Sequence, residues 1–80
     1  MDREFISLLK EVHEQSGLSL REVGALSNLD FSYISRILAG ERHPSRDVFI
    51  SLCAYSWRLD LVETNRVLVA AGYKPIRQKI

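Results

Sequence analysis

The segment SLREVGALSNLDFSYISRI, from Ser19 to Ile37, constrains this chain more than any other. Ser19 followed three residues later by Glu22 is the pattern of a capping box, in which each side chain accepts a backbone N–H at a helix start. Leu18 before the cap and Val23 four after it are placed to form a hydrophobic staple. A helix therefore starts near Leu20, and it ends around Leu26 or Ser27, because Asn28 tolerates the left-handed conformation that stops a helix sharply. Asp30 then reads as the N-cap of another helix. Tyr33, Ile34, Ile37 and Leu38 supply its spacing, and Gly40 closes it. Two short helices so closely joined cannot lie antiparallel. They cross steeply and need a small residue where they touch, and Gly24 is that residue. Glycine inside a helix costs about 1 kcal/mol relative to alanine, so its presence implies a close approach, to Ile34. Alanine at position 24 is expected to be tolerated or even stabilising, and leucine to overpack.

The rest of the chain extends this pattern into one all-α domain over residues 1–80. EFISLLKEVHEQ carries Phe5, Leu8, Leu9 and Val12 on one helical stripe, with Gly17 as the stop. After the loop ERHP, Ser45 caps a fourth helix bearing Phe49, Leu52 and Cys53, with apolar residues continuing to Trp57. DLVETNRVLVAAGYKP opens on a second capping pair, Asp60 and Glu63, and ends at Gly72 and Pro75. Five helices and no strand are expected. Eighty residues make a small domain, 46% hydrophobic and 26% charged, as suits an ordinary globule. No apolar run approaches the roughly 20 residues of a membrane span, and no signal peptide is evident at the start. Cys53 is the lone cysteine, which fits a reducing cytoplasm.

Charge distribution says more than the net charge of +1. Between Phe31 and Arg46 lie Arg36, Arg42 and Arg46 with His43, against the single acid Glu41. The terminal KPIRQKI adds Lys74, Arg77 and Lys79 without an acid. Steeply crossed helices with a free N-terminal end on the second are the helix-turn-helix arrangement, which presents that end to a DNA major groove.

The stretch LSLREVGALSNLDFSYISRILAGERHPSRDVFISLC resembles the helix-turn-helix core of the lambda-repressor and Cro-like family, also called the XRE family. The resemblance rests on Leu18–Ser19, Glu22–Val23, Gly24, Leu29, Ile34–Ser35–Arg36–Ile37, Gly40–Glu41–Arg42 and Pro44–Ser45. ETNRVLVAAGYKP is similar to the fifth helix of many members, so the likeness runs from Leu18 to Pro75. It implies a five-helix lambda-repressor-like fold and base reading by Phe31, Ser32, Tyr33, Ser35 and Arg36, with Ile34 and Ile37 inward. Arg36 is suited to guanine O6 and N7, the serines to bases or phosphates, and Phe31 to a thymine methyl. Phe31 and Tyr33 have the alternative of folding back onto neighbouring helices.

Backbone phosphates are expected at the helix starts near Ser19 and Ser45, with Arg21, Arg42, His43 and Arg46 close by. The alternative for each arginine is a solvated charged face. In the family the position of Leu20 is often a glutamine that bonds the DNA backbone, a contact leucine cannot make. Sequence-specific binding of double-stranded DNA by a prokaryotic or phage transcriptional regulator, cytoplasmic and nucleoid-associated, is the reading this supports. The alternative is a protein-interaction module that keeps the fold without specific DNA binding. His13, His43 and Cys53 lack metal-ligand spacing, and neither a nucleophile motif nor a glycine-rich phosphate loop is present. No enzyme activity, metal or cofactor is therefore expected. Val48, Ile50, Tyr55, Leu61, Val62, Val67 and Val69 exceed what one face can bury. A homodimer or protein partner is expected to cover some of them through the fourth and fifth helices, with glutamate at Val67 and Val69 breaking the contact but not the fold.

Overall fold

A computed structural model describes residues 3–77 of the chain. Its helices are α1 (Arg3–Ser16), α2 (Leu20–Ser27), α3 (Phe31–Leu38), α4 (Arg46–Ser51) and α5 (Leu61–Ala70), with no strand among the described residues. Lys79 lies outside them. Each boundary has a local cause. The Ser19 hydroxyl accepts the Glu22 N–H at 3.1 Å, and Glu22 Oε1 accepts the Ser19 N–H at 3.0 Å, a complete capping box. Asn28 ends α2 at φ 58°, in the left-handed region. Asp30 caps α3 and Ser45 caps α4. Asp60 caps α5 through the Glu63 N–H, while the Glu63 carboxylate pairs with Arg66 at 3.5 Å.

Phe5, Leu9 and Val12 of α1, Val23 of α2, Ile34 and Ile37 of α3 and Phe49 of α4 meet in one buried core with Val67 and Leu68 of α5. Val67 is fully buried, so it belongs to that core and not to an exterior face. This corrects the expectation that Val67 and Val69 are equivalent: Val69 is 58% exposed, with Val62 and Tyr55 also outward.

The fourth helix departs from the regular form expected up to Trp57. Past Ser51 it widens into a π-helical turn over Leu52–Ser56, closed by the Trp57 N–H donating to Leu52 O at 2.9 Å. In a regular α-helix residues five apart sit about 140° apart around the axis, so Leu52 and Trp57 could not share a face. Closing the bond over five residues turns both inward, and both are buried. The Ser56 hydroxyl, buried beside them, donates to Val23 O in the middle of α2. Arg58 follows at φ 52°, left-handed and uncommon for a residue with a side chain.

Gly24 is buried where α2 meets the turn, as the crossing requires, but its tightest neighbour differs from the one expected. A Cβ there would stand 2.5 Å from Leu29 O and 3.3 Å from Phe31 N, with Ile34 Cδ1 at an ordinary 3.5 Å. The turn's own backbone closes on this position. Alanine is therefore not a benign replacement, contrary to the expectation from helix propensity alone.

Candidate nucleic-acid interface

The turn between α2 and α3 is fastened at both sides. Leu29 donates its N–H to Gly24 O at 2.8 Å, and Asp30 Oδ1 accepts both the N–H and the hydroxyl of Ser32 at 2.8 Å. Those bonds from Ser32, backbone first, with Arg36 adding a smaller attraction, hold the Asp30 carboxyl below its ordinary range. Glu22 is lowered in the same way by the backbone and then the hydroxyl of Ser19.

Ile34 and Ile37, both fully buried, set the rotation of α3. At 100° per residue the opposite side then carries Ser35 and Arg36, which are exposed. Phe31 stands at the free N-terminal end, 41% exposed. Ser32 is half-buried, its hydroxyl already donating to Asp30 while its oxygen can still accept. Tyr33 is half-buried too, and its side chain packs against the core.

Phe31 also has a partner that no sequence pattern announces. The Arg21 guanidinium lies over its ring at 4.5 Å, a cation–π contact joining the first turn of α2 to the first turn of α3. Ten residues separate the two, beyond the reach of any capping or helical spacing rule. Leu20 is half-buried against the core beside them.

The remaining phosphate candidates divide. Ser19 and Ser45 use their hydroxyls as caps, Ser45 accepting the Val48 N–H at 3.4 Å. Arg42 is exposed and donates to Glu41 O at 3.1 Å. The His43 ring stacks on Tyr73 with centroids 5.6 Å apart, meets the Phe49 ring in a T-shaped contact and lies tilted against Phe5. Arg46 reaches across 28 positions to donate from Nε to Lys74 O at 2.9 Å, and from Nη2 to Pro75 O at 3.4 Å. It therefore holds the C-terminal segment as well as carrying charge. Lys74 and Arg77, which read in the sequence only as part of an acid-free tail, line one groove with Arg46.

Two helices meeting over a tight turn at Gly24, the second showing a polar face with Arg36, are what a family comparison then identifies. The model of a helix-turn-helix domain matches residues 4–67. The chain is a helix-turn-helix domain of the lambda-repressor/Cro-like type. Comparisons with curated proteins and with solved structures gave no match. The helix-turn-helix is a DNA-binding arrangement, which supports DNA as a partner of this domain. The matched stretch ends inside α5, so the segment held by Arg46 lies beyond it. No helix among the described residues is long and apolar enough to cross a membrane, and no group of three or more His, Cys, Asp or Glu among them is arranged to hold a metal ion.

Proposed function

We propose that this domain binds double-stranded DNA sequence-specifically, with α3 in the major groove, as the reading head of a cytoplasmic, nucleoid-associated transcriptional regulator of a prokaryote or phage. The observation that carries the reading is the division of α3: Ile34 and Ile37 lock one side into the core, and Ser35 and Arg36 are left exposed on the other. Arg36 is assigned to a guanine, whose O6 and N7 match the guanidinium fork. Ser35 and Ser32 accept from or donate to a base edge or a phosphate. Phe31, backed by Arg21, offers its ring to a thymine methyl, and that arginine also brings positive charge to the entry of the groove. Arg42 and the first turn of α2 meet the phosphates, and Tyr33 contributes through whatever edge its packing leaves outside. Val62 and Val69, seven residues apart and so on one face of α5, together with Tyr55 are assigned to a second copy or another protein.

The test is selection of a preferred duplex from a random pool, followed by titration of Arg36→Ala on that duplex and on a scrambled one. A guanine reader loses about 1–3 kcal/mol on the preferred site and relaxes preference at one position. Equal losses on both duplexes would reduce Arg36 to a phosphate contact. No duplex binding by the parent at low salt would refute the DNA reading and assign the exposed side of α3, with Phe31 and Leu26, to a protein partner.

A further inference from the structure

The last described residues do not trail from α5; they are bolted to the loop between α3 and α4. The Tyr73 hydroxyl donates to Pro44 O at 2.7 Å. Its ring stacks on His43 at an interplanar angle of 29°. Arg46 holds the carbonyls of Lys74 and Pro75. Asn65 of α5 closes the other end, donating to Ile76 O at 3.1 Å and accepting the Ile76 N–H at 2.6 Å. The segment from Tyr73 to Ile76 is thus a strap with fixed placement, made by contacts 11 to 29 positions apart in the chain.

Fastening the strap in this way gathers charge. Arg46, Lys74 and Arg77 line one groove, and none of the residues lining it is acidic. Among the described residues neither Lys74 nor Arg77 has an ion-pair partner, and both are exposed. Arg46 uses two of its five N–H donors on the strap and keeps its full charge. Three cations held together without an acid repel one another, and an anionic partner relieves that repulsion.

We infer that this strap is a second DNA contact, in which Lys74 and Arg77 bind phosphates of the duplex backbone beside the α3–α4 loop. The inference rests on the DNA reading above and adds a surface outside the matched stretch of the family. The occupant is the DNA backbone because the strap is continuous with the loop that leaves α3: a duplex that engages α3 and Arg42 runs on toward Pro44 and Arg46, and the strap is fixed to both. Its contacts are to charge and carry no sequence information. Tyr73 is a positioning residue, holding the two cations against the loop.

The measurement is equilibrium binding of the parent and of the double variant Lys74→Ala, Arg77→Ala to the selected and scrambled duplexes between 50 and 200 mM salt. Both side chains are exposed, so the variant keeps the fold, checked by circular dichroism. Removing two phosphate-binding cations reduces the slope of log affinity against log salt by about 1.8. The difference in affinity between parent and variant then narrows about twelvefold across that fourfold salt range, equally on both duplexes. Lys74→Glu with Arg77→Glu should widen the low-salt difference further, and Tyr73→Phe, with all cations present, should lose affinity on both duplexes with preference unchanged. A parent that binds with a slope the double variant leaves unchanged overturns the strap contact and leaves the DNA reading intact. A parent that binds no duplex overturns both.

Discussion

Replacing Gly24 with alanine sets two magnitudes against each other. In a helix interior the change recovers about 1 kcal/mol, because alanine loses less backbone freedom on folding. Against this, the new Cβ would lie 2.5 Å from Leu29 O and 3.3 Å from Phe31 N. The first is closer than carbon and oxygen can stand, and the atom in the way is backbone, not the end of a flexible side chain. Leu29 is also tied to this residue, donating its N–H to Gly24 O at 2.8 Å. The turn cannot move away without loosening that bond and shifting the start of α3. Overpacking of this kind costs about 1–3 kcal/mol, and contact with main chain belongs at the upper end. The net expectation is a loss of about 1–2 kcal/mol, or a fall in Tm of about 5–15 °C for a domain of this size. Thermal unfolding followed by far-ultraviolet circular dichroism reads it directly, and Gly24→Leu should lose far more. A Tm for Gly24→Ala equal to or above that of the parent would refute the reasoning, since propensity would then outweigh the contact with Leu29.

Other expectations follow from burial and capping. Val67→Glu places a carboxylate in the core and should cost several kcal/mol, whereas Val69→Glu, on the exposed side of α5, should leave the fold intact by circular dichroism and shift any dimer toward monomer in sedimentation. Burial pushes the Cys53 thiol up to about 12 from 9.0. The unfolded thiol ionises first, so its contribution to stability is complete below pH 9 and disappears between about 9 and about 12; urea melts should lose stability more steeply there for the parent than for Cys53→Ala. Glu22 and Asp30 act with the opposite sign, their carboxyls being held below the ordinary values of 4.5 and 3.8. The stability they contribute is present above those values and is lost as pH falls through the folded ones, so Glu22→Gln should flatten the acid limb of the same melts.

Helix boundaries are legible in the sequence because their causes are local. Ser19 with Glu22, Asp30 with Ser32, Ser45 with Val48 and Asp60 with Glu63 each act over two or three positions. Asn28 and Gly40 stop helices through their own backbone preferences, at φ 58° and 81°. Spacing likewise marks Tyr33, Ile34, Ile37 and Leu38 as one side of α3, and the resemblance to the family narrows the inward pair to Ile34 and Ile37, both fully buried. Val67 resists such a reading for a related reason: α5 carries apolar residues on more than one side, so its periodicity does not say which side meets Phe49 and Leu52. The π-helical turn is equally hidden, since Leu52, Cys53 and Trp57 are apolar in either winding and only the fit of Trp57 and Ser56 against the core selects the wider one.

What the sequence does not disclose at the site is the pairing of its cations. Arg21 and Arg46 read alike in the chain, each a basic residue just inside a capped helix. Their surroundings separate them: Arg21 lies on the ring of Phe31, ten positions on, whereas Arg46 turns away to the carbonyls of Lys74 and Pro75. The first binds the two helices of the motif to each other at the N-terminal end of α3. The second commits part of its donor fork to holding the strap, and so brings Lys74 and Arg77 to the loop after α3. Removing Arg46 should therefore do more than remove one charge. Arg46→Ala is expected to lower the salt slope by more than the 0.9 or so of a single phosphate contact, because the strap loses an anchor with it. Arg42 donates only to the carbonyl of its neighbour Glu41 and anchors no distant segment, so Arg42→Ala should lower the slope by about 0.9 and no further. Equal slopes for the two variants would mean that Arg46 acts as an ordinary surface charge and that Tyr73 and Asn65 hold the strap without it.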